Sequence, residues 1–468
     1  MNPKAGLAFW AQRALEELDK ANQNFDADPV HDLRVALRRC RSMADGFLSI
    51  DPDPGWKQLK KLGKELFRRL GNLRDMQVME EWVQQLAEAE DPVRKDLLQL
   101  FSSQEQPLKQ DAQTALHAFD RKHWQALAQR LAKRSRKIPA ESVVFQHIAL
   151  ERWEQARHLH HRALRNRSQA AFHQLRIGLK KFRYTVENFL PQRHEKWGAD
   201  LKELQDLLGE IHDLDVVGAV LRTRDIAPED RTRWQAKIRN ARQQRLGRYR
   251  EKMLGRKSLW HVWRSGLPQG EHLQDAALAR LRTWGAFLDP DVAHSRHVSR
   301  LALQIYDGLT RDGVVRATDQ GRRILQTAAL LHDVGKAKGK RGHHKESARL
   351  IRKQTPPLGW TAQELRAVAA VARYHCGALP RPEHKCLKGL PSSMRRSVNR
   401  LAGVLRLANA LDLSHARKVR RLELESQDGL VVVRGAGYAA TGTAAERVAA
   451  ARYLLESSCN RAVLVRPI

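Results

Sequence analysis

The sequence is poor in the features that would anchor a chain in a membrane, staple it with disulfides or let it stack on nucleobases. Among 468 residues there are 4 cysteines, Cys40, Cys376, Cys386 and Cys459, and no two form a C-x-x-C pair. That spacing argues against a structural zinc knuckle and fits a reducing compartment. No run approaches the roughly 18 apolar residues of a spanning helix. The segment Met1 to Leu7 lacks the apolar core of a signal peptide. A soluble, cytoplasmic protein with no membrane partner is expected. Aromatic residues make up 6% of the chain and do not interleave its basic stripes, so stacking platforms for single-stranded nucleic acid are not evident. No G-x-x-x-x-G-K-[ST] loop occurs, so neither a P-loop engine nor a nucleotide cofactor is expected.

Positive charge is abundant. Lys and Arg number 84 against 52 acidic residues, a formal charge of +32, with a pI near 10.6. Such an excess predicts a polyanionic partner: inorganic polyphosphate, nucleic acid or an anionic surface. The basic residues are interleaved with periodic Leu, Ala and Trp, so the charge belongs on folded helices. Length sets a prior of about three domains, with cores large enough to need no metal or disulfide staple.

From the start to about residue 255 the periodicity is helical. Within His31 to Arg41, Leu33, Leu37 and Cys40 form one helical stripe, while His31, Arg34, Arg38 and Arg41 form another. His173 to Arg183 repeats the plan, with Leu175, Leu179 and Phe182 against His173, Arg176, Lys180 and Arg183. A turn at Asp26 to Pro29 is expected before the first copy, and Asp51 to Gly55 should break the chain after it. A helix over Trp56–Leu70 then presents Lys57, Lys61, Lys64 and Arg68 at steps of four and three, opposite Leu59, Leu62, Leu66 and Leu70. Gly71-Asn72-Leu73-Arg74-Asp75 and, after the second copy, Gly209-Glu210-Ile211-His212-Asp213 read as matched turns. The second partner helix, Trp197–Leu208, is acidic apart from Lys202 and the preceding Lys196, so the first repeat is expected to grip a polyanion more tightly. Matched stripes and punctuation indicate a duplication.

These paired H-x-L-R-x-x-L-[RK]-[RK]-x-R segments and L-G-x-x-x-D words resemble the conserved histidine α-helical domain, CHAD, over roughly residues 1–255. The resemblance implies two helical bundles related by pseudo-symmetry and a basic surface for inorganic polyphosphate. By position it implicates Arg34, Arg38, Arg41, Lys57, Lys61, Lys64, Arg68, Arg176, Lys180, Arg183 and Lys202. His31 and His173 are the family histidines. Each either adds to the cationic face or caps or packs against a neighbouring helix. The bland alternative for the basic stripes is a solvated surface. Residues 256–273, rich in Lys, Trp, Gly, Pro and His, read as a linker.

Helical periodicity resumes over 274–420, with polar words at its breaks: His294-Ser295-Arg296-His297, His332-Asp333-Val334-Gly335-Lys336, Gly342-His343-His344-Lys345, Arg373-Tyr374-His375 and Asn409-Ala410-Leu411-Asp412. A His-Asp pair ending an apolar helix, with an upstream His and a downstream carboxylate, suits a divalent site that activates water against a phosphate ester or anhydride. The pattern looks like the HD superfamily of metal-dependent phosphohydrolases. More narrowly, A-A-L-L-H-D-V-G-K, G-H-H-K-E-S-A-R-L-I, A-R-Y-H and L-R-L-A-N-A-L-D resemble the C-terminal half of the exopolyphosphatase/guanosine pentaphosphate phosphohydrolase family. In that family, anhydride hydrolysis belongs to actin-like N-terminal domains, and the HD-like half helps hold the polyphosphate chain. Here helical bundles stand in place of such domains.

The HD resemblance implies His294, His332, Asp333 and Asn409 as metal ligands, with Asp412 as a substitute for Asn409. His332 and Asp333 would be catalytic, and a divalent metal such as Mg, Mn or a similar ion the cofactor. An HD fold whose His and Asp residues are only hydrogen-bonded core relics is the alternative. The loop carrying Lys336, Lys338, Lys340, Arg341, His343, His344 and Lys345 is expected to contact phosphate. Residues 421–468 should form a small α/β piece: a hairpin around Asp428-Gly429, a helix from Thr443 to Leu455 and a strand at Ala462–Val465.

The expected protein is mainly α-helical and binds inorganic polyphosphate in the cytoplasm or at polyphosphate granules. Its second domain either adds metal-dependent phosphohydrolysis or extends the polyphosphate track. Hydrolysis of guanosine polyphosphates or other nucleotides, and non-specific nucleic-acid binding, are the alternatives. Nothing in the sequence indicates an oligomeric state.

Overall fold

The computed structural model describes residues 6–468. Residues 1–5, the start of the segment read against a signal peptide, lie outside it. The chain forms two compact units, one ending at Gly270 and the other spanning Glu271–Ile468.

The first unit is all helical: α1 Leu7–Gln23, α2 Ala27–Phe47, α3 Gly55–Leu62, α4 Lys64–Leu86, α5 Pro92–His117, α6 Arg121–Ser135, α7 Val143–Asn166, α8 Gln169–Phe189, α9 Pro191–Thr223, α10 Pro228–Met253 and α11 Leu259–Ser265. The apolar stripes read from sequence are core. Leu33, Leu37 and Cys40 of α2 and Leu175, Leu179 and Phe182 of α8 are all fully buried. Each buried leucine contributes roughly 1.5–3 kcal/mol, which commits both helices to one rotation about their axes. That rotation turns both basic stripes the same way, off the core. The two repeats meet through α2 and α8. Arg39 of α2 bonds Glu187 (2.5 Å) and Asn188 (3.1 Å) of α8, and Asn188 donates to the Ser42 hydroxyl (2.8 Å).

Several expected breaks are absent. Helix α2 already starts at Ala27, so Asp28 and Pro29 form its first turn, where proline's missing N–H costs nothing. Gly71 and Gly209 lie inside α4 and α9. A mid-helix glycine costs about 1 kcal/mol. Here the buried Leu66, Leu70, Leu73 and Met76, and Leu204, Leu208, Ile211 and Leu214, keep helical spacing across it and prevail. The helix expected over Trp56–Leu70 is instead two, α3 and α4, with Gly63 between them and Leu62 only half-buried. Residues 256–273 are not a bare tether: α11 lies there, with Trp260 and Trp263 buried and Trp260 edge-on to Trp153 of α7.

The second unit comprises α12 Gly270–Ala286, α13 Val292–Arg311, α14 Asp319–Leu331, a 3-10 turn Val334–Lys338, α15 His343–Arg352, α16 Ala362–Arg373, α17 Ser392–Ala410, β1 Arg421–Gln427, β2 Leu430–Ala436, α18 Gly442–Cys459 and β3 Ala462–Pro467. Strands β1 and β2 pair antiparallel across Asp428-Gly429, both at positive φ as a tight hairpin turn requires, and β3 lies parallel to β2. The small α/β end has no separate core. Val431, Val433, Leu454 and Leu455 share one apolar cluster with Leu401 and Leu405 of α17. The fold is therefore mainly α, with one three-stranded sheet. Among the described residues no helix is long and apolar enough to cross a membrane.

Candidate functional site

In the first unit the two basic stripes merge. Arg34, Arg38, Arg176 and Lys180 are half-buried, with no carboxylate within ion-pair distance among the described residues. Burial, together with Arg176 and Arg38 nearby, pushes the Lys180 ammonium down to about 8. Arg38 of the first repeat and Arg183 of the second both lie over the Tyr184 ring, at 5.7 and 5.6 Å. Arg41 lies over Phe67 at 4.7 Å. Rings thus hold these guanidinium groups in place, and Arg183 is also paired with Glu187 at 3.7 Å. Two carboxylates, Asp75 and Asp213, lie near the cluster. Burial raises Asp213 to about 6, against the pull of Arg176. Asp75 of the first repeat also acts on Lys180 and Asp213, so the L-G-x-x-x-D words of both repeats meet here. The sequence suggests two polyanion sites of unequal strength; in the structure the inner residues of both stripes lie in one cluster.

The other expected contacts differ in setting. Lys57 and Lys61 are exposed on α3, and Lys64 and Arg68 on α4. Arg68 is already paired with Glu65 at 2.6 Å. Lys202 is exposed on α9, one turn before Asp206, which also faces Arg183 and Lys180. The two family histidines are unlike. His173 lies against His212 (ring centroids 4.8 Å), which burial and Arg176 push down to about 4. His31 is exposed and lines a cavity of about 440 Å³ with Asp28, Arg74 and Lys109. Neither is a cap, since Asp26 and Ser168 hold the N-cap positions.

In the second unit five helix ends converge on Asp333. This residue is 1% exposed and follows His332 at the end of α14. Gly335 allows α15 to approach, because a Cβ there would lie 2.2 Å from the His343 carbonyl oxygen. Four imidazole Nε2 atoms face the carboxylate: His343 and His375 at 3.3 and 3.9 Å from Oδ1, His332 and His294 at 3.5 and 3.8 Å from Oδ2.

Their tautomers follow from their other nitrogens. A carbonyl only accepts, so the Nδ1–H groups of His332, His343 and His375 donate to the carbonyls of Ala329 (2.7 Å), Lys340 (2.9 Å) and Ala372 (2.7 Å). The Nδ1 of His294 donates to Asp412 at 2.8 Å, whose other oxygen accepts from the Arg417 backbone N–H. Every Nε2 therefore turns a lone pair towards an acceptor-only carboxylate. Burial holds His294 and His375 below the ordinary imidazole range, with His332 adding to the effect. Burial and Arg373 lower His344 to about 4. Burial alone would raise the Asp333 carboxyl, but His332, His375 and Lys336 outweigh it and hold it well below the usual range. Lys336 bonds Oδ2 at 2.5 Å, while Asp333 Oδ1 and His332 Nε2 have no hydrogen-bond partner among the described residues.

Residues 10–222 match the CHAD domain family, and residues 285–429 match Ppx/GppA phosphatase, domain III. The chain carries a CHAD domain followed by a Ppx/GppA domain III. Among solved structures, the crystal structure of the CHAD domain from the plant Ricinus communis is 22% identical, with a TM-score of 0.39; the match covers 56% of this chain and 88% of that one. No curated protein matches the chain. Helices α10 and α11 lie beyond the CHAD match, and β2, α18 and β3 beyond the domain III match.

A divalent cation fits the Asp333 cluster. Two ligand atoms on one tetrahedral ion, at bonds of about 2.0–2.2 Å, stand roughly 3.3–3.5 Å apart. The separations His343–Asp333 (3.3 Å), His332–Asp333 (3.5 Å) and His343–His375 (3.1 Å) are close to that. Two overlapping ligand groups result, His294/His332/Asp333 and Asp333/His343/His375, sharing the carboxylate. Such imidazole-rich donors suit zinc, iron or manganese better than the magnesium named with manganese from sequence. Asp412 does not replace Asn409. It sits behind His294 and orients it, whereas Asn409 Oδ1 is 3.2 Å from His294 Nε2, on the ligand side.

Lys336 is tied to Asp333, so it is not a free phosphate contact as expected. Lys340 and Arg341 are exposed on the loop. Lys345 lines a cavity of about 640 Å³ with Arg349, Arg352, Lys353, Arg373 and Lys385 and no acidic residue. From sequence His343 belongs to the phosphate loop and His375 has no role; in domain III both face the carboxylate. His415, also unexpected, stacks on His294 at 3.8 Å and pairs with Asp291 at 2.7 Å.

Proposed function

We propose that this protein binds inorganic polyphosphate through the merged cationic face of its CHAD domain. The observation that carries this reading is the cluster of Arg34, Arg38, Arg176 and Lys180, half-buried and without ion-pair partners among the described residues. Holding like charges together in this way costs folding energy, and a polyanion offsets that cost on arrival. A linear chain with about one charge per phosphate matches such a face, and each guanidinium can offer paired N–H donors. Arg41, Arg183 and Lys202 extend the track, while Lys57, Lys61, Lys64 and Arg68 form its outer rim. The test is competition of long-chain polyphosphate against RNA of matched charge at fixed salt. Polyphosphate should win by at least tenfold; equal competition would mean general polyanion binding.

A second activity is favoured by the lone pairs crowded on Asp333: metal-dependent hydrolysis of a phosphoanhydride or phosphoester. His294, His332, Asp333, His343, His375 and Asn409 would hold the ion or ions. A bound cation would supply Lewis acidity towards a phosphoryl oxygen and towards an attacking water. The chain's own residues perform the other tasks. Asp412, Ala329, Lys340 and Ala372 fix the imidazole tautomers through the bonds described above. Lys345, Arg349, Arg352, Lys353, Arg373 and Lys385 would neutralise a phosphate chain entering the cavity they line. Lys336 balances the Asp333 charge. Polyphosphate ends, guanosine polyphosphates and other nucleotides are the substrate classes to assay.

A further inference from the structure

Beside the Asp333 cluster lies a group the hydrolase reading does not use. Cys376, the residue after His375, sits half-buried with its Sγ 3.9 Å from His343 Nε2, and it forms a third potential ligand group with His343 and His344. His343 Nε2 is thus common to two groups: on one side the unpartnered, buried Asp333 Oδ1 at 3.3 Å and His375 Nε2 at 3.1 Å, on the other the thiol. His343 Nδ1 already donates to Lys340, so its Nε2 accepts and the S–H is the donor between them. Sulfur and nitrogen on one tetrahedral zinc stand roughly 3.5 Å apart, given bonds of about 2.3 and 2.0 Å. The observed 3.9 Å separation needs only a small rotamer adjustment to reach that.

We propose that Cys376 is a thiolate ligand that makes the His343 side of this cluster a thiophilic, zinc-class site. Its donors are His343, His344 and Cys376, two nitrogens and one sulfur whose ligand atoms lie within 4.8 Å of one another. Mixed imidazole–thiolate donors favour zinc, cobalt and cadmium over magnesium, calcium and manganese. On binding, the S–H bond breaks, its proton passes to solvent and the sulfur lone pair forms the S–metal bond. The imidazoles, already neutral, release nothing, so about one proton leaves per ion. Asp333 and His375 belong to the neighbouring group, which shares His343. Unlike the His294/His332/Asp333 group, which offers no sulfur, this side discriminates between metals. The inference rests on the metal reading of the Asp333 cluster and adds the class of ion.

The test strips the full-length protein with a chelator and titrates it with Co²⁺ alone, reading absorbance and proton release. A sulfur-to-cobalt charge-transfer band should rise to saturation in the unmutated protein, with about one proton released, and Zn²⁺ should abolish it. The band should be missing in Cys376→Ser and kept in Cys386→Ser. Zn²⁺ affinity should fall at least 100-fold in Cys376→Ser, with Mn²⁺ affinity within threefold. Cobalt binding with ligand-field bands but no charge-transfer band in the unmutated protein overturns the thiolate and leaves the metal reading standing. So does a band that survives in Cys376→Ser. No cobalt binding at all overturns both. Because the decisive band is read first in the unmutated protein, a folding defect in a variant cannot decide the result.

Discussion

The cationic face of the CHAD domain and the Asp333 cluster of domain III are opposite electrostatic arrangements. On the first, donors crowd together: Arg34, Arg38, Arg176 and Lys180 have N–H groups and no carboxylate within ion-pair distance among the described residues. In the second, acceptors crowd together: four imidazole lone pairs and a carboxylate face one another, and among the described residues Lys336 and the Cys376 thiol offer protons. Each lacks what the other has in excess, so one suits an extended anion and the other a compact cation. They differ also in how they are held. Aromatic faces and neighbouring helices support the cations, leaving room for a chain of variable length. Backbone carbonyls fix the imidazoles one by one, which suits a ligand of defined size.

The sharpest way to break this contrast is to remove the shared acceptor. Asp333→Asn should abolish metal-dependent phosphate release, by roughly 1,000-fold or more, as expected when a group at the reacting centre is lost. It should also erase the thermal shift produced by Zn²⁺ or Mn²⁺. At 100 times Kd that shift corresponds to about 2.7 kcal/mol in the unmutated protein. Polyphosphate binding by the CHAD domain should be unchanged, and a parallel loss there would break the separation of roles. A smaller effect is expected from Asp412→Asn, which keeps the shape but weakens the acceptor behind His294. Metal affinity measured by calorimetry should fall about 10–100-fold.

The pH response sharpens the other side. Lys180, lowered to about 8, gains its proton as pH falls through that value, and Asp213, raised to about 6, loses its charge as pH falls further. Both changes make the face more positive. Polyphosphate affinity should therefore rise on the order of tenfold between pH 9 and pH 5, one charge-assisted contact's worth. Fluorescence titration checks this, and Lys180→Arg should flatten the upper limb. The least effect, about threefold or less, is expected for Lys57→Gln with Lys61→Gln, since those lysines are exposed on α3 and screened by salt.

Much of this was legible in the sequence because helical periodicity reports burial directly. Leu33, Leu37, Cys40, Leu175, Leu179 and Phe182 were identifiable as core, and their burial dictates where the arginines between them point. The hairpin at Asp428-Gly429 was equally plain, since that dipeptide tolerates two successive positive φ angles. What misled was glycine. Gly71 and Gly209 look like breaks, yet the apolar spacing on either side carries each helix through. Convergence was the other gap. His343 and His375 lie 32 residues apart in sequence, and only the packing of α15 on α16, with Gly335 admitting the close approach, brings their rings together. The merger of the two basic stripes was hidden for the same reason: it depends on α2 meeting α8, and Arg39, which makes that contact, belongs to neither stripe.

The central claim is that one merged face, not two independent ones, holds the polyphosphate. Salt titration of polyphosphate binding to the unmutated protein, Arg34→Glu, Arg176→Glu and the double variant tests it most directly. With a merged face, each single change should cost at least tenfold in affinity, and the double variant should depart from additivity by more than 0.5 kcal/mol because the two arginines share one ligand segment. The slope of log affinity against log salt should fall by about 0.7 for each positive charge removed from the contact. Additive losses with two separable binding phases would contradict the claim, and so would an unchanged affinity in the double variant.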